Sequence, residues 1–398
     1  MSKSSGLLST LPQIQQFLQR ENLGGWLIYD FHGINALARE LVPPDKYHVT
    51  RRWYYFIPAH GEATLLAHKI EQTNYPPMPG RKQYYAGLQE LNEHLRALLP
   101  AGITVAMEYS PMNDVPTVSY VDAGTIELLR ALGVNVVTSA QLIQEFQVRW
   151  SAEQLQTHMA AAKVLHEAQS EAFRLIEKQL QARNPINEYE VQSCILEKIA
   201  AGDCTSDAAP IVAVNANASN PHYAPTAQVH SPIKKGDVIL IDLWAKKKTP
   251  GAVFADITWM GYAGTNVPSR VQEVFNIVTG ARDTGVRVIQ EHAKAGQPLQ
   301  GYRIDEAVRR YITEAGFGKY FFHRTGHSLG VLTHDNGVNI DSYETRDTRV
   351  LTPGIAFSIE PGIYLEEFGT RSEINVYIGA HGPEIHTPPQ TEITKLAV

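Results

Sequence analysis

The second half of this chain places acids inside apolar, strand-like sequence, and that pattern restricts the possible folds more than any other. Asp242 lies within Val238-Ile-Leu-Ile-Asp-Leu-Trp244. Asp is depleted from strands, and a buried carboxylate is too costly to hold unless it is paired or bound to a metal. A fold that buries this run must therefore bring a cation to Asp242. Reading 238–245 and 253–261 as antiparallel strands, with Lys246-Lys-Lys-Thr-Pro-Gly251 as the turn, centres the hairpin on residue 249 and sets Asp242 opposite Asp256. Directly opposed residues share a face with Cβ atoms about 4.5 to 5.5 Å apart, and like charges there destabilise a sheet. Only a shared cation makes the pairing sensible. The same arrangement recurs near the C-terminus, where 357–364 and 371–377 flank 365–370 and set Glu360 opposite Glu373. Two acidic hairpins imply one site.

Charge balance gives the number of cations. Four carboxylates carry four negative charges, which two divalent ions cancel, and metal pairs of this kind sit about 3.5 to 4 Å apart. With His327 the donor set is oxygen-rich, holds one imidazole and lacks thiolate. It suits Mn²⁺, with Co²⁺, Fe²⁺ or Zn²⁺ possible, and excludes the Cys-rich structural zinc class. Singly, each residue has an ordinary explanation: Asp256 capping a turn, Glu373 on an edge strand, His327 in a loop. Five of them in two matched hairpins do not.

The residues then resemble a known family. Ile241-Asp-Leu-Trp244, Ala255-Asp-Ile-Thr258, His323-Arg-Thr-Gly-His-Ser-Leu-Gly330, Ser358-Ile-Glu-Pro-Gly-Ile-Tyr364 and Gly369-Thr-Arg-Ser-Glu373 look like the ordered motifs of the creatinase, aminopeptidase P and prolidase metallopeptidases, and the likeness covers nearly the whole chain. The resemblance implies an α/β N-terminal domain followed by an α+β pita-bread catalytic domain with a pseudo-two-fold repeat. It implies that Asp256 and Glu373 bridge two metals, that Asp242 completes one metal's shell, and that His327 and Glu360 complete the other's. A metal-bridging hydroxide would be the nucleophile and Glu360 the general base. His222, His323 and His334 match three further active-site histidines that bind substrate or stabilise the developing oxyanion, with His222 and His334 as catalytic candidates. Arg371 projects from the same strand face as Glu373, because strand side chains alternate, and would steady a carboxylate or grip the substrate.

Two positions depart from the family pattern. A Tyr three residues before the second Asp ligand and an Arg three residues after it are replaced by Val253 and Trp259, so a Tyr-Arg network around Asp256 is not expected. Lys246, Lys247 and Lys248 read as a solvated hairpin tip, too short a run for a nucleic-acid patch.

Composition narrows the class. A chain of 398 residues, 43% of them hydrophobic, has material for two or three domains. A net charge of −6 and a pI near 6.2 argue against nucleic-acid and membrane-surface partners. No apolar run approaches the roughly 18 residues of a membrane span, and the first ten residues hold too short an apolar core for a secretory signal. Two cysteines, Cys194 and Cys204, cannot form a disulfide framework and fit a reducing compartment. A cytoplasmic enzyme is expected, with a small peptide as its partner and a homodimer as its assembly.

The texture changes near residues 148 to 152. Before it, strand-like runs at 24–29, 52–58, 64–68 and 103–107 alternate with helical patterns at 88–99 and 124–132, which reads as an α/β domain over residues 1–150. After it come long helices. Ser151-Ala-Glu-Gln154 has a capping-box pattern opening a helix towards Gln181, Asn187 with Glu190 opens a second, Ser269-Arg-Val-Gln272 a third that ends near Gly296, and Asp305 a fourth stopped by Gly316. A helix pair beside each acidic hairpin suggests a two-fold repeat across the catalytic domain, residues 151–398. The function most consistent with this reading is hydrolysis of Xaa-Pro dipeptides. The alternatives are aminopeptidase P action on longer peptides, a metal-dependent lyase or small-molecule hydrolase, and a binding module that has kept the fold without catalysis.

Overall fold

The computed structural model describes residues 9–43 and 46–398. Most of the N-terminal stretch weighed above as a secretory signal lies outside them. The chain divides into two compact units, Met1–Gln147 and Val148–Val398.

Unit 1 is built on one mixed sheet. Its strands are β1 (Gly25–Asp30), β2 (Trp53–Pro58), β3 (Thr64–His68), β4 (Arg81–Tyr85), β5 (Thr104–Met107) and β6 (Asn135–Thr138), in the order β4-β3-β2-β1-β5-β6. Parallel pairing joins β3 to β4, β1 to β5 and β5 to β6. The central strand β1 is buried along its whole length, as strands covered on both faces are. Helices α1 (Leu11–Arg20), α2 (Leu88–Leu98) and α3 (Ala123–Ala131) accompany it, and Leu91, Leu95, Ile126 and Leu129 pack into one core with Leu27, Tyr29 and Phe56. Strands β4 and β6 gave no readable sequence signal. Arg81-Lys-Gln-Tyr-Tyr85 is an edge strand whose first residues are solvated, so it lacks an apolar run.

Unit 2 repeats a single plan. In its first half, helices α4 (Ala152–Gln181) and α5 (Glu188–Ala201) lead into β7 (Cys204–Thr205), β8 (Ile211–Val214) and the hairpin β9 (Val238–Lys247) and β10 (Ala255–Tyr262). In the second, α6 (Ser269–Ala295) and α7 (Gly301–Glu314) lead into β11 (Ser328–Leu329) and a long hairpin. The hairpin comprises β12 (Ala356–Ile359), β13 (Gly362–Tyr364), β14 (Gly369–Arg371) and β15 (Ile374–Gly379). In each half a short strand, β8 or β11, pairs antiparallel with the first hairpin strand. Strand β16 (Gly382–Ile385) extends the second sheet and β17 (Thr394–Lys395) closes the first.

The helix starts follow their caps. Ser151 with Gln154, and Asn187 with Glu190, form reciprocal capping boxes. The other two starts differ from expectation. Helix α6 is preceded by Pro268 with no side-chain cap, and Gly296 ends it in the left-handed conformation. Asp305 lies inside α7, not at its start. It is fully buried and accepts hydrogen bonds from the backbone and hydroxyl of Thr325 and of Ser342, so its carboxylate anchors two loops instead of capping a helix.

Register also corrects the reading. In the first hairpin Asp242 faces Thr258, and Asp256 faces Trp244. The two acids share a face but stand diagonally. The offset arises because residues 252–254 leave the ladder: the Phe254 N–H donates to Gly330 O, and buried Val253 and Phe254 join Trp150, Leu329 and Ala356 in a separate cluster. Of the three lysines only Lys248 is exposed beyond the strand. Lys246 and Lys247 belong to β9, and their ammonium groups donate to Val331 O at 2.6 Å and Gly202 O at 2.7 Å. In the second hairpin the ladder pairs Ile359 with Ile374 and Gly362 with Arg371, a register that puts Glu360 opposite Glu373.

Alternation along β9 and β10 sorts two environments. Ile239, Ile241, Leu243, Ala255 and Ile257 face α4 and α5 in one core, where Trp259 also packs, with its ring 5.4 Å from that of His166. Trp259 therefore points away from the acids. Asp242, Trp244 and Asp256 line a cavity. Cys194 and Cys204 are free thiols, and among the described residues no helix is long and apolar enough to cross a membrane.

Candidate active site

The cavity measures about 410 Å³ and lies wholly within unit 2. Asp242, Asp256, His327, Glu360, Glu373, His222, His323, His334 and Arg371 all line it. Sequence separation of more than a hundred residues is removed by the two hairpins, which meet along β10. There the Asn375 side chain acts as a surrogate peptide group: its Oδ1 accepts from the Asp256 N–H at 2.9 Å and its Nδ2 donates to Asp256 O at 2.7 Å. Gln390 repeats this at Met260, at 2.8 and 2.7 Å. The outer edge of β10 is thereby closed, and Asp256 is fixed against the strand that follows Glu373.

His327 is placed by Gly326. A Cβ there would lie 1.9 Å from Ser358 O, so only glycine lets the two backbones meet. The Ser358 hydroxyl accepts from the His327 N–H at 2.9 Å and donates to Glu360 Oε1 at 3.0 Å. The His327 Nδ1 lies 3.2 Å from Ser328 O; a carbonyl only accepts, so Nδ1 carries the proton and Nε2 presents a lone pair. That lone pair faces Asp256 Oδ2 at 3.6 Å and Glu360 Oε1 at 3.3 Å.

Lone pairs facing carboxylates need a cation between them. Donor atoms of Asp256, His327 and Glu373 lie within 4.8 Å of one another. One oxygen each of Asp242, Asp256 and Glu373 is buried without a hydrogen-bond partner, which is costly unless an ion supplies the partner. Of the remaining oxygens two are used: Thr258 Oγ1 donates to Glu373 Oε2 at 2.8 Å, and Arg371 Nη2 to Asp242 Oδ2 at 2.5 Å. The donor set fits divalent metal.

The electrostatics agree. Burial pushes Asp242 up to about 7, with Arg371 pulling it down and Asp256 and Glu360 pushing it up. Burial, joined by Glu360, holds Asp256 well above the usual carboxylate range, and burial with Asp256 does the same for Glu373. Glu360 behaves oppositely: burial raises it, but His327, His323 and Arg371 outweigh that and leave it below its ordinary value. Burial lowers His323 and His334 to about 4, so both rings are neutral near pH 7.

The sequence reading missed several supporting groups. Arg371 donates to Thr258 Oγ1 at 3.0 Å and to the Tyr364 hydroxyl at 2.9 Å. Tyr364 in turn lies 2.8 Å from His323 Nε2. Since His323 Nδ1 lies 2.7 Å from Arg324 O and so carries its proton, Nε2 accepts from the tyrosine. A Tyr-Arg network is thus present, carried by positions 364 and 371 and centred on Asp242. His334 stands edge-on to His327 with ring centroids 4.2 Å apart. His222 is exposed at the rim, on a loop held by buried Glu188, which accepts from Val214 N, Asn217 Nδ2, Tyr223 Oη and Ser231 N. Asp207 also lines the cavity. Arg371 was expected here; Thr258 and Tyr364 stand in the quoted motifs, but Glu188, Tyr223 and Asp207 have no local signal.

The profile of metallopeptidase family M24 matches residues 157–380. The chain belongs to metallopeptidase family M24. It is 28% identical over 261 residues to the uncharacterized peptidase YqhT of Bacillus subtilis, an alignment covering 64% of this chain and 67% of that one. It is 30% identical over 164 residues to the Xaa-Pro dipeptidase of Lactobacillus delbrueckii subsp. lactis, covering 41% of this chain and 40% of the relative. The match spans 48% of the probable dipeptidase PepE of Mycobacterium bovis, so of several curated relatives the chain spans about half the length or less. In three dimensions it resembles the crystal structure of dipeptidase PepE from Mycobacterium ulcerans, with a TM-score of 0.67, 20% identity and 99% of each chain covered. The M24 chain thus has the pita-bread fold, here seen as the helix-pair and hairpin plan repeated in unit 2.

Proposed function

We propose that this M24 chain is an Xaa-Pro dipeptidase that hydrolyses the peptide bond before proline with two divalent metal ions. The reading rests above all on the buried convergence of Asp256, His327 and Glu373, with carboxylate oxygens that lack partners at Asp242, Asp256 and Glu373. Asp242, Asp256, His327, Glu360 and Glu373 would hold the ions, Mn²⁺ suiting this oxygen-rich set. When bound, they supply Lewis acidity and make water nucleophilic near neutral pH.

The chain's own residues do the rest. Glu360, held below its ordinary value beside His327, His323 and Arg371, accepts the proton of the attacking water and later delivers it to the leaving proline nitrogen. Ser358 holds one Glu360 oxygen at 3.0 Å, leaving the other for the proton. His334, neutral and at the cavity wall, donates its N–H to the oxygen that gains charge. His222 at the rim binds the substrate and shares that donation, and His323 contributes to binding once its ring exchanges the Tyr364 hydroxyl for substrate. Arg371 fixes Asp242 and grips the substrate's own carboxylate end. The names of relatives such as the Lactobacillus Xaa-Pro dipeptidase support the substrate, and a cavity of about 410 Å³ sits at the small end of ligand sites, roughly 300 to 1,000 Å³. An N-terminal domain over residues 1–150, a catalytic domain over 151–398, a homodimer and a cytoplasmic setting complete the proposal.

The test is to strip the protein with a chelator, restore Mn²⁺, Co²⁺ or Zn²⁺ singly, and measure an Xaa-Pro dipeptide beside an Xaa-Pro-Xaa tripeptide. Metal-restored cleavage of the dipeptide is expected. Equal activity without metal overturns the mechanism, and equal cleavage of the tripeptide overturns the dipeptidase reading.

A further inference from the structure

Among the described residues Asp207 is the one cavity-lining carboxylate that the proposed reaction does not use. It lies on the exposed loop between β7 and β8. Its Oδ1 accepts from the Trp244 indole N–H at 2.7 Å and its Oδ2 from the Thr333 hydroxyl at 3.0 Å. An ionised carboxylate offers about four lone-pair sites, so two neutral donors fix its orientation and leave half of its capacity free. Among the described residues it forms no ion pair within 4.0 Å and does not join the donors converging within 4.8 Å. It is a fixed negative charge standing off from the metal centre.

Its neighbours complete a shape. Trp244, Ala208 and Ile211 line the same cavity; Trp244 touches Asp207 directly and stands two residues from Asp242 on the cavity face of β9. An indole beside a carboxylate accommodates an aliphatic stem and attracts a cationic head. In a dipeptide the negative end belongs to proline and would be repelled here, so the residue before the scissile bond faces Asp207. Its α-ammonium is tied within a few ångströms of the reacting carbonyl and so stays with the metal-site carboxylates. The side chain of that residue is the part left to face Asp207.

We propose that Asp207, with Trp244, forms a subsite for a positively charged side chain, Arg or Lys, on the residue preceding proline. This inference rests on the Xaa-Pro reading. It makes Asp207 a specificity residue, with no part in bond cleavage.

The experiment compares Arg-Pro with Leu-Pro on the metal-restored full chain and on Asp207→Asn, which keeps an oxygen acceptor of the same size. Because the two substrates are compared on one protein, a partial loss of folded enzyme cancels. Wild type should favour Arg-Pro in kcat/KM by roughly 10-fold, the order of one charge-assisted hydrogen bond at a part-exposed site. Asp207→Asn should abolish that preference while Leu-Pro changes less than about twofold. A wild type that cleaves both peptides equally overturns the inference, and so does a variant that loses both equally, which would give Asp207 a general structural role. The second measurement is calorimetric binding of the two peptides to Glu360→Gln and to the double variant with Asp207→Asn, which reads the subsite without turnover. If no Xaa-Pro peptide is cleaved but Asp207-dependent binding of Arg-Pro persists, the dipeptidase reading fails and the subsite stands. If neither binds preferentially, the subsite fails.

Discussion

Asn375 joins the two acidic hairpins, and its truncation has a calculable cost. The residue is 1% exposed, and its amide satisfies both backbone groups of Asp256, at 2.9 and 2.7 Å. Asn375→Ala leaves that N–H and C=O buried without partners. Each costs about 1 to 3 kcal/mol, or about 2 to 6 kcal/mol together, and water entering the vacated space moves the value towards the lower half of that range. A loss of about 3 kcal/mol in the metal-free protein is expected, seen as a lower urea midpoint with an unchanged slope. Metal content after dialysis should fall as well, since Asp256 is no longer fixed against the second hairpin. Asn375→Asp separates the hydrogen bonds from the cavity: it fills the same volume and still accepts from the Asp256 N–H, but it turns an oxygen towards the Asp256 carbonyl. It should also destabilise by more than about 1 kcal/mol. An Asn375→Ala protein within about 1 kcal/mol of wild type and with full metal content would refute the surrogate-peptide account.

Three further outcomes are expected. Glu360→Gln should lower kcat by about 10²- to 10⁴-fold with the fold retained, and circular dichroism beside steady-state rates would show whether substantial activity survives. Asp256→Asn should lose metal occupancy by elemental analysis, because it removes charge where three donors converge within 4.8 Å; full occupancy contradicts its role as a ligand. In metal-free protein, Asp242 is raised from 3.8 to about 7 and Asp256 and Glu373 are raised too. The folded state then holds protons that the unfolded chain has released above its own carboxylate values. This contribution is complete below about pH 4 and is lost as pH rises through about 7. Lowered His323 and His334 act oppositely between about pH 4 and 6.5, so the Tm of chelated protein should fall from about pH 6.5 upward while metal-loaded protein changes less, and a chelated Tm that rises there rejects the carboxylate assignment.

The acids were legible because they violate a local rule: a carboxylate amid Ile and Leu in a strand has few reasons to be there. The second hairpin's register was also legible, since its strands are symmetric about a short turn. The first was not, because Val253 and Phe254 are drawn out of the ladder by Trp150 and Leu329, partners far away in sequence. Distance hides Asp305 in the same way. Its carboxylate sits where a cap might be, and its partners at Thr325 and Ser342 belong to loops with no local pattern. Trp259 looked like a loss to the site when read against the family, yet strand alternation turns it towards the helices and away from Asp256. Supporting groups such as Glu188 and Asp207 acquire meaning only from what the fold puts beside them.

The division of the site between two like halves makes it a test of assembly. The first hairpin brings Asp242 and Asp256, while the second brings Glu360 and Glu373, with His327 from just before the short strand beside it. On the proposed ligand set neither half would own a complete coordination shell. An ion held by that set would act as a rivet through the seam, and its retention during dialysis would report how tightly the halves are closed. Slow loss of metal would be the first sign of the molecule opening along β10, ahead of any change in its helices.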